Sequence, residues 1–359
     1  MSQKIVIKVG SSLLTGGSNA VNPEYLDLVV KHISDFSKNG RDVIVVTSGA
    51  IASGLSILGL KKRPSSLADQ QASAAAGMSC LMQAYSQKLS LSGLKCASIL
   101  LTREDFTDRK RYLNAKNTIT TLLKYKVIPI INENDAISVD EIRFGDNDVL
   151  SALVASLIEA DGLLILTDID GLYESYDIKN KTHGSIIKEV EKVTPQIQKM
   201  AQGTDKDACV GGMLTKIEAA RIATSIGIPV VLANGLKEVL KIDFKAKNYK
   251  DCDGTRFCAN RSLGSKKHWI AFGVIAKGRI IVDDGAKIAL IKNYKSLLAP
   301  GIIEVRGVFK AKDVVEIADL KGECFARGII NYSSSEMELA VGKKMKSEAV
   351  HRDELVLLV

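Results

Sequence analysis

Short apolar runs alternate with longer helical patterns along the first two thirds of the chain. The runs are rich in Val, Ile and Leu and lack polar alternation, which is typical of strands covered on both faces. They predict strands at 4–10, 41–49, 96–102, 127–132, 162–168 and 228–235. The intervening patterns predict helices at 23–38, 66–90, 112–124, 148–160 and 212–226. This alternation predicts an α/β fold, with a mainly parallel sheet inside a three-layer αβα sandwich.

The pattern changes in the last third of the chain. Residues 236–267 are rich in Lys, Asp, Asn and Ser and show no clear period, so we place a domain boundary there. Beyond it, short apolar runs separated by glycines are typical of a small β-barrel or pseudo-barrel. These runs predict strands at 268–273, 278–286, 301–309, 313–319 and 324–332. The expected domains are therefore residues 1–260 and 268–359.

Composition limits the class of protein. The chain has 359 residues, of which 46% are hydrophobic, enough for two domains and a large core. Its longest apolar runs, such as VIVV and LLIL, cover a few residues each, whereas a bilayer-spanning helix needs roughly 18 to 20. The N-terminus, MSQKIVIKVG, has neither a secretory signal nor a transit pattern. We therefore expect a cytoplasmic protein without a membrane segment.

Cysteine spacing and charge add two further constraints. The six cysteines and four histidines are dispersed without a C-x-x-C pair, which argues against a zinc cluster and fits reduced thiols. The net charge is +8, and residues 261–359 hold 17 Lys and Arg against 12 Asp and Glu. This basic tail raises RNA binding as an alternative function. A solvated surface is favoured over it, because the tail has no interleaved stripe of Arg and aromatic residues.

Three loops combine glycine with small hydroxyl residues: KVGSS (8–12), VTSGAIASG (46–54) and VGGMLTK (210–216). Parallel sheets bind ligands beyond the carboxyl ends of their strands, where glycine lets the backbone approach a phosphate and hydroxyls add donors. The G-x-G-x-x-G and G-x-x-x-x-G-K-[ST] fingerprints are both absent from the sequence. That absence counts against a Rossmann-type nicotinamide enzyme and against a P-loop NTPase.

Two of these loops carry a lysine in a locally unfavourable position. Lys8 ends the first predicted strand among apolar neighbours. Lys216 falls in the first turn of a predicted helix, where a cation opposes the helix dipole. Each alone is more often an ordinary surface lysine. Their joint placement at glycine-rich ends favours neutralisation of a phosphate.

One acidic stretch stands out in this basic chain. NENDAISVDEIRFGDNDVLSA (132–152) holds six carboxylates and three asparagines around a single arginine, Arg143. Taken alone, these residues leave three interpretations open: a metal site, helix capping, or the binding of a cation. The simplest explanation of its Asn and Asp residues is turn chemistry after a strand.

Seven segments follow one another in a fixed order. They read KVGSSLLTGG, VVTSGAIASG, LLTREDFTDRKRYLNA, PIINENDAIS, FGDND, LLILTDIDGLY and GGMLTKIEAA. Together they resemble the amino acid kinase superfamily, and within it the branch that acts on free glutamate. In the tail, VDDGAKIAL, SLLAPGI and GVFKAKDVVEI resemble a PUA domain. The resemblance covers nearly the whole chain.

The resemblance implies an activity and its partners. The expected reaction transfers the γ-phosphoryl group of ATP to the side-chain carboxylate of L-glutamate, with Mg²⁺, as the first step of proline biosynthesis. Assembly into a homo-oligomer, dimer or tetramer, and feedback inhibition by L-proline are also expected. A sister enzyme acting on acetylglutamate or aspartate is the main alternative for the substrate.

The resemblance also assigns roles to residues. Lys8 would bridge the reacting ends, Lys216 would stabilise the leaving phosphate, and Asp148 would hold both lysines. The amino acid would bind Ser48, Gly49, Asp135 and Asn147, with Asp135 facing the ammonium group. ATP would contact Lys8, Thr167, Asp168, Val210, Gly211, Gly212, Met213, Leu214, Thr215 and Lys216. No residue is assigned to a metal.

The ATP loop departs from the family pattern at one point. The family usually has G-T-G-G-M, and this chain has Cys209-Val210-Gly211-Gly212-Met213. The change removes a flexible glycine and a hydroxyl, and it stiffens the loop. Because Gly211, Gly212 and Lys216 remain, we expect ATP binding to be retained.

Overall fold

The computed structural model describes residues 2–138, 147–177, 182–202, 212–237, 244, 253–259, 267, 269–274, 276–343 and 345–358. The chain divides into two compact units, one made of Met1–Asp105 and Arg109–Ser262 and the other mainly of Leu263–Val359. The domain limits 1–260 and 268–359 stay a prediction. Among the described residues, no helix has both the length and the apolar character needed to cross a membrane.

The first unit is built on one sheet and a separate two-stranded ribbon. Its strands are β1 (Lys4–Val9), β2 (Asp42–Thr47), β3 (Lys95–Leu101), β4 (Val127–Glu133), β5 (Gly162–Thr167), β6 (Tyr176–Asp177), β7 (Thr182–His183), β8 (Glu189–Val190), β9 (Val230–Asn234) and β10 (Thr255–Phe257). The sheet has the order β3-β4-β2-β1-β5-β9-β10-β8. Every pair from β3 to β9 is parallel, and β10 runs antiparallel to β9. The predicted α/β fold with a mainly parallel sheet is confirmed.

Long helices connect these strands. The described helices before β9 are α1 (Ser11–Thr15), α2 (Pro23–Lys38), α3 (Ala50–Leu55), α4 (Leu67–Ser90), α5 (Arg103–Thr107), α6 (Arg109–Lys124), α7 (Asn147–Ile158), α8 (Pro195–Gln202) and α9 (Met213–Ser225). The five helices that the sequence predicts are present within three residues of their expected ends. The short helices α1, α3, α5 and α8 were not predicted, because one or two turns are too short to establish a helical period.

Burial explains why these segments form a sandwich. In β1, all residues after Lys4 are buried, and in β5 every residue is buried. In α7, Asp148 and every residue from Leu150 to Ile158 are buried, and Val149 is partly buried. A helix that is apolar on all sides must be covered on all sides, and α7 packs against both the sheet and α9. The first residues of α7 are therefore held rigidly beside the end of β1.

Several sequence predictions differ from the structure. Residues 268–273 were predicted as a strand, but Trp269–Gly273 forms a π-helix. Its Ile270 and Ala271 are buried in a small cluster with residues of the second sheet. A short run that is apolar throughout has no period, so the sequence pattern cannot distinguish the two conformations. In addition, β10 lies inside 236–267, the stretch interpreted as a connector.

The second unit contains a separate five-stranded sheet. Its strands are β11 (Gly278–Val282), β12 (Ile302–Gly307), β13 (Val314–Ala318), β14 (Cys324–Ile329) and β15 (Leu355–Leu357), in the order β12-β11-β13-β14-β15. Among the described residues of this unit, the α-helices are α10 (Asp284–Ile291) and α11 (Ser334–Ala340). Asp283 caps α10, and Ser333 forms a capping box with Glu336 at the start of α11. The strand predicted at 278–286 ends at Val282, and α10 begins at Asp284, so the sequence patterns did not predict α10, α11 or β15.

Candidate active site

The carboxyl ends of three adjacent strands define the candidate site. β2, β1 and β5 are neighbours in the sheet, and each runs directly into a loop with small or polar residues. Such strand ends are where ligands bind in open parallel sheets. Two helices begin beside these ends, α7 at Asn147 and α9 at Met213, and they pack against each other.

Lys8, Asp148 and Lys216 form one buried cluster. The Lys8 Nζ atom lies 2.5 Å from Asp148 Oδ1, and the Lys216 Nζ atom lies 3.3 Å from Asp148 Oδ2. The Asp148 side chain is fully buried, and that of Lys8 is 2% exposed. The structure therefore brings together three residues that are 140 and 68 positions apart in the chain.

The environment of the cluster favours an additional anion. Burying a charged group is costly unless an opposite charge compensates for it. Counted alone, two lysines and one carboxylate carry one net positive charge. Thr215 completes the cluster by donating its hydroxyl proton toward Asp148 Oδ2, at 2.9 Å, and toward the Gly212 carbonyl, at 2.8 Å. Thr215 and Lys216 both lie in the first turn of α9, whose N-terminus adds a partial positive charge.

A cavity of about 350 Å³ adjoins this cluster. Its floor is made of buried residues, including Thr15, Ala50, Leu55 and Asn132, and its rim contains the exposed residues Gly17, Ser18, Asn19 and Arg63. Asn147 lines the cavity, and the next residue, Asp148, belongs to the lysine cluster. The cavity and the cluster therefore meet at the first turn of α7.

Asn147 connects the loops around the cavity. Its amide nitrogen lies 2.9 Å from the Thr47 carbonyl, 3.0 Å from the Ser48 hydroxyl and 2.9 Å from Asn132 Oδ1. Its carbonyl oxygen is buried and has no hydrogen-bond partner among the described residues. An unsatisfied buried acceptor is unfavourable, so this oxygen is suited to accept a hydrogen bond from a bound ligand.

The other predicted amino acid contacts also line the cavity. Ser48, Gly49 and Asp135 are all part of its wall. Gly49 precedes α3 with φ of 100°, a left-handed conformation that glycine adopts without strain. Asp135 is half-buried in the loop after β4. The structure thus places all four predicted amino acid contacts around one cavity.

The sequence patterns did not single out two of the polar residues in this wall. Asn132 and Glu133 end β4, and both are buried and line the cavity. Glu133 Oε1 accepts a hydrogen bond from Ser138 at 3.2 Å. The signal for Asn132 was present, since it opens the polar segment directly after the apolar run of β4. A strand-end asparagine is, however, too common to be assigned without its spatial neighbours.

The predicted ATP contacts are described only in part. Thr167 ends β5 and is buried, and its hydroxyl donates to the exposed Asp168 at 3.0 Å. Gly212 precedes α9, and a Cβ atom on it would meet no atom within 4 Å. Met213 is buried at the helix start, whereas Leu214 is 43% exposed. Val210 and Gly211, together with the unusual Cys209, lie outside the described residues.

The centre of the acidic stretch also lies outside the described residues, which omit 139–146 and hence Asp140, Glu141 and Arg143. Its two ends are described and have separate surroundings. Asp135 lines the cavity, whereas Asp148 contacts the two lysines. Among the described residues, no group of three or more His, Cys, Asp or Glu side chains could hold a metal ion.

Comparison with known proteins identifies the family. The amino acid kinase family profile matches residues 3–234, and the PUA domain profile matches residues 278–352. A glutamate 5-kinase from Caldanaerobacter subterraneus subsp. tengcongensis is 43% identical over 99% of this chain and 98% of its own length. A glutamate 5-kinase from Geobacter sulfurreducens is 42% identical with the same coverage. Among solved structures, a carbamate kinase from Giardia lamblia bound to AMP-PNP matches with a TM-score of 0.50 and 19% identity, over 72% of this chain and 99% of that one.

The fold and the profiles define the class of protein: the chain belongs to the amino acid kinase family and carries a PUA domain after the kinase domain. Both relatives align over almost the whole length, the PUA domain included. Within the family, the chain therefore groups with the glutamate 5-kinases. The carbamate kinase likeness supports the fold alone, because the sequences are too different to carry a function.

Proposed function

We propose that this protein transfers the γ-phosphoryl group of ATP to the side-chain carboxylate of L-glutamate, giving L-glutamyl 5-phosphate and ADP. The observation that carries the proposal is the buried Lys8-Asp148-Lys216 cluster beside a cavity lined by Ser48, Asp135 and Asn147. The full-length likeness to glutamate 5-kinases supports the choice of glutamate. The product is the acyl phosphate from which proline synthesis starts.

The chemistry needs alignment and charge stabilisation more than proton transfer. A carboxylate is already ionised at neutral pH, so the nucleophile needs no enzymic base. Its attack brings two anions together, and catalysis of phosphoryl transfer rests on positioning and on neutralising charge. Lys8 would lie between the attacking carboxylate and the γ-phosphate, and Lys216 would stabilise the charge that develops on the leaving ADP. Asp148 would fix both ammonium groups through its two oxygens.

The amino acid end of the substrate would be held by the cavity wall. Asp135 provides a carboxylate for the substrate ammonium, and the unsatisfied Asn147 carbonyl oxygen provides an acceptor for it. The Ser48 hydroxyl and the Gly49 backbone would donate to a carboxylate. Asn147 also forms hydrogen bonds with Thr47, Ser48 and Asn132. The loops that contact the substrate are therefore fixed before it binds.

Mg²⁺ is part of the proposed reaction. In kinase sites, this ion is usually held by one or two carboxylates together with substrate phosphates, and it keeps several waters. Asp168, exposed at the end of β5, is a carboxylate of suitable placement for an ion that arrives bound to ATP. When bound, the ion would supply charge neutralisation on the phosphate oxygens. Feedback inhibition by proline, a homo-oligomeric state and a cytoplasmic location complete the proposal and rest on the family resemblance.

A trapping assay tests the substrate. The purified protein is incubated with ATP, Mg²⁺, an amino acid and hydroxylamine, which converts acyl phosphates to hydroxamates. We expect product with L-glutamate and little or none with L-aspartate or N-acetyl-L-glutamate. Product with one of the latter two and none with glutamate would show that a sister substrate is the correct one.

A substitution at Lys216 tests the site. The Lys216→Ala variant should keep its fold, because Asp148 remains paired with Lys8. It should lose turnover by at least about a hundredfold, as expected for one preorganised charge in a phosphoryl-transfer site. Lys237→Ala, which removes a 55% exposed lysine paired with Asp170, serves as the control and should retain activity. Full activity in Lys216→Ala would remove this lysine from the mechanism.

A further inference from the structure

Arg63 has an unusual position in the amino acid cavity. Among the described residues that line this cavity, Arg63 is the single cationic side chain, whereas Glu133 and Asp135 are anionic. Arg63 is exposed on the rim and makes no hydrogen bond or ion pair with another described residue. A guanidinium group at the edge of a cavity is well suited to bind a carboxylate, because its planar fork matches both oxygens.

The backbone on both sides of Arg63 is tied to other elements. The Asn19 side chain donates to the Lys61 carbonyl at 2.9 Å, which joins the two rim segments of the cavity. On the other side, the Gln70 side chain in α4 donates to the Pro64 carbonyl at 3.0 Å. Pro64 also restricts Arg63 to an extended backbone. Arg63 is thus held at the rim before any ligand binds, which lowers the entropy cost of a contact.

In the proposed reaction, Ser48 and Gly49 offer hydrogen-bond donors to the α-carboxylate of glutamate, and among the described residues that line the cavity Arg63 is the one that offers it a positive charge. Glutamate carries two carboxylates, and the reacting one must point toward Lys8 and Lys216, beyond the first turn of α7. Lys8 is 2% exposed and does not line the cavity, so the two cationic regions lie at different ends of the site. The second carboxylate, next to the ammonium group, must then remain in the cavity.

We propose that Arg63 is a specificity-determining residue that binds the α-carboxylate of the amino acid substrate. This assignment rests on the proposed function. It separates the charges in the site: Asp135 meets the ammonium, Arg63 meets the adjacent carboxylate, and the lysine cluster meets the reacting end. A substrate without an α-carboxylate loses the Arg63 contact and is discriminated against.

The test compares two substrates and three variants. L-Glutamate and L-glutamate α-amide differ in the α-carboxylate alone, and both present the same reacting carboxylate to hydroxylamine trapping. In Arg63→Gln we expect KM for glutamate to rise roughly tenfold. The reason is that a charge-assisted hydrogen bond at the rim of a cavity is weaker than a buried ion pair and stronger than a surface ion pair. The value of kcat should change little, because the contact is made away from the reacting atoms. For the α-amide, kcat/KM should be unchanged.

Matched variants separate this role from general effects. Lys62→Gln removes the same charge from the adjacent residue, which is exposed and does not line the cavity, and should leave both substrates unaffected. Arg63→Lys should recover part of the glutamate affinity. If the α-amide is not turned over, its inhibition constant against glutamate takes the place of kcat/KM.

Two outcomes would overturn the role of Arg63. The first is a KM for glutamate that is the same in Arg63→Gln as in Lys62→Gln. The second is a decrease in kcat/KM on Arg63→Gln substitution that is equally large for glutamate and for its α-amide. Neither depends on whether the proposed reaction is correct, because wild-type turnover of glutamate is measured first. Absence of that turnover would refute the substrate instead.

Discussion

Asp148 is the residue on which the buried charges of the site depend. It contacts Lys8 and Lys216, and all three side chains are at least nine-tenths buried. Asp148→Asn would keep the shape of the side chain but leave two buried ammonium groups without their common counter-charge. Removing one partner of a buried ion pair costs about 3–5 kcal/mol. We expect a loss of this size in the free energy of unfolding, measured with urea, together with loss of turnover.

An exposed ion pair provides the control for this prediction. Asp27 pairs with Lys88, and the Asp27 side chain is 60% exposed. Surface pairs contribute about 0–1 kcal/mol, so Asp27→Asn should lower stability by no more than that. If Asp148→Asn were as stable as Asp27→Asn, Asp148 would not be compensating the two lysines in the folded protein.

Removing the hydroxyl group should affect stability differently at two buried tyrosines. Tyr85 is fully buried, and its hydroxyl lies 2.9 Å from that of Thr47, which in turn donates to the Ser48 carbonyl. The Tyr112 hydroxyl is buried and has no partner among the described residues. Tyr85→Phe should therefore cost about 1 kcal/mol, whereas Tyr112→Phe should be neutral or slightly stabilising. Urea unfolding of both variants measures the difference, and an equal cost would contradict the assigned hydrogen bond.

Single residues also show what the sequence could predict about the site. Lys8 and Lys216 were identified because a lysine among apolar neighbours or in the first turn of a helix is locally unfavourable, so its position carries information. Asn132, Tyr85 and Arg63 do not lie in locally unfavourable positions. Asparagine after a strand, tyrosine in a helix and arginine in a loop are ordinary, and their roles arise from neighbours that are distant in sequence.

At the scale of elements, the crossing of α3 and α4 shapes the cavity wall. Gly54 in α3 and Gly77 in α4 meet at the crossing, with no room for side chains. A Cβ atom on Gly77 would lie 1.9 Å from the Ala50 carbonyl oxygen, and one on Gly54 would lie 1.9 Å from the Ser73 carbonyl oxygen. These are backbone atoms, so the helices themselves would have to separate. Because Ala50 and Leu55 of α3 line the cavity, this separation would also displace the wall.

A glycine-to-alanine substitution at this crossing has two opposing effects on stability: a gain in helix propensity and a cost from overpacking. Replacing a helical glycine by alanine gains about 1 kcal/mol of helix propensity. Overpacking typically costs about 1–3 kcal/mol, and a backbone clash lies at the upper end. Gly77→Ala should therefore lower stability by about 2 kcal/mol, or the melting midpoint by roughly 4–8 °C. Ser79→Ala, an exposed position on the same helix, is the control and should not be destabilised. A stabilised Gly77→Ala would mean that the helices do not cross closely.

The elements also differ in how well the sequence predicts them. The strands of the parallel sheet are apolar throughout because both of its faces are covered. Six such runs, separated by segments long enough to form helices, are compatible with few folds other than a parallel α/β sheet. The π-helix at Trp269–Gly273 has an equally apolar sequence, so its type is decided by packing against Val314, Ile329 and Val356. The strand β15 has three residues and forms by pairing with β14, a long-range contact that no local pattern reveals.

At the scale of the whole molecule, the sheet assembles the site from distant segments. The parallel order of β2, β1 and β5 places the loops after Thr47, Val9 and Thr167 at one edge, and the two helices α7 and α9 add the charged residues. The order of the strands and the pairing of α7 with α9 could not be read from local patterns. They follow from burying α7, which is apolar on every side, between the sheet and α9.

The burial of two tyrosines in the first unit also makes the stability of the protein decrease at alkaline pH. Burial raises the pKa of Tyr85 above its ordinary value of 10, although its hydrogen bond to Thr47 acts in the opposite direction. Burial, together with the charge of Glu159, raises the pKa of Tyr112 to about 12. The folded state therefore favours the neutral phenols. Their contribution to stability is complete below pH 10 and is lost as the pH rises through the folded pKa values.

The size of this effect follows from linkage. Consider a tyrosine that is ionised in the unfolded chain and still neutral in the folded protein. It lowers the free energy of unfolding by at most about 1.4 kcal/mol for each unit by which the pH rises. Urea unfolding at pH 9, 10 and 11 should therefore show a steeper decline for the wild type than for Tyr112→Phe, which lacks one of the two phenols. Tyr125→Phe removes a 75% exposed tyrosine and should follow the wild type. Lysines also lose their charge in this range, but they do so equally in all three proteins, so the difference between slopes isolates the buried phenol. Equal slopes for Tyr112→Phe and Tyr125→Phe would mean that Tyr112 ionises as readily in the folded protein as in the unfolded chain.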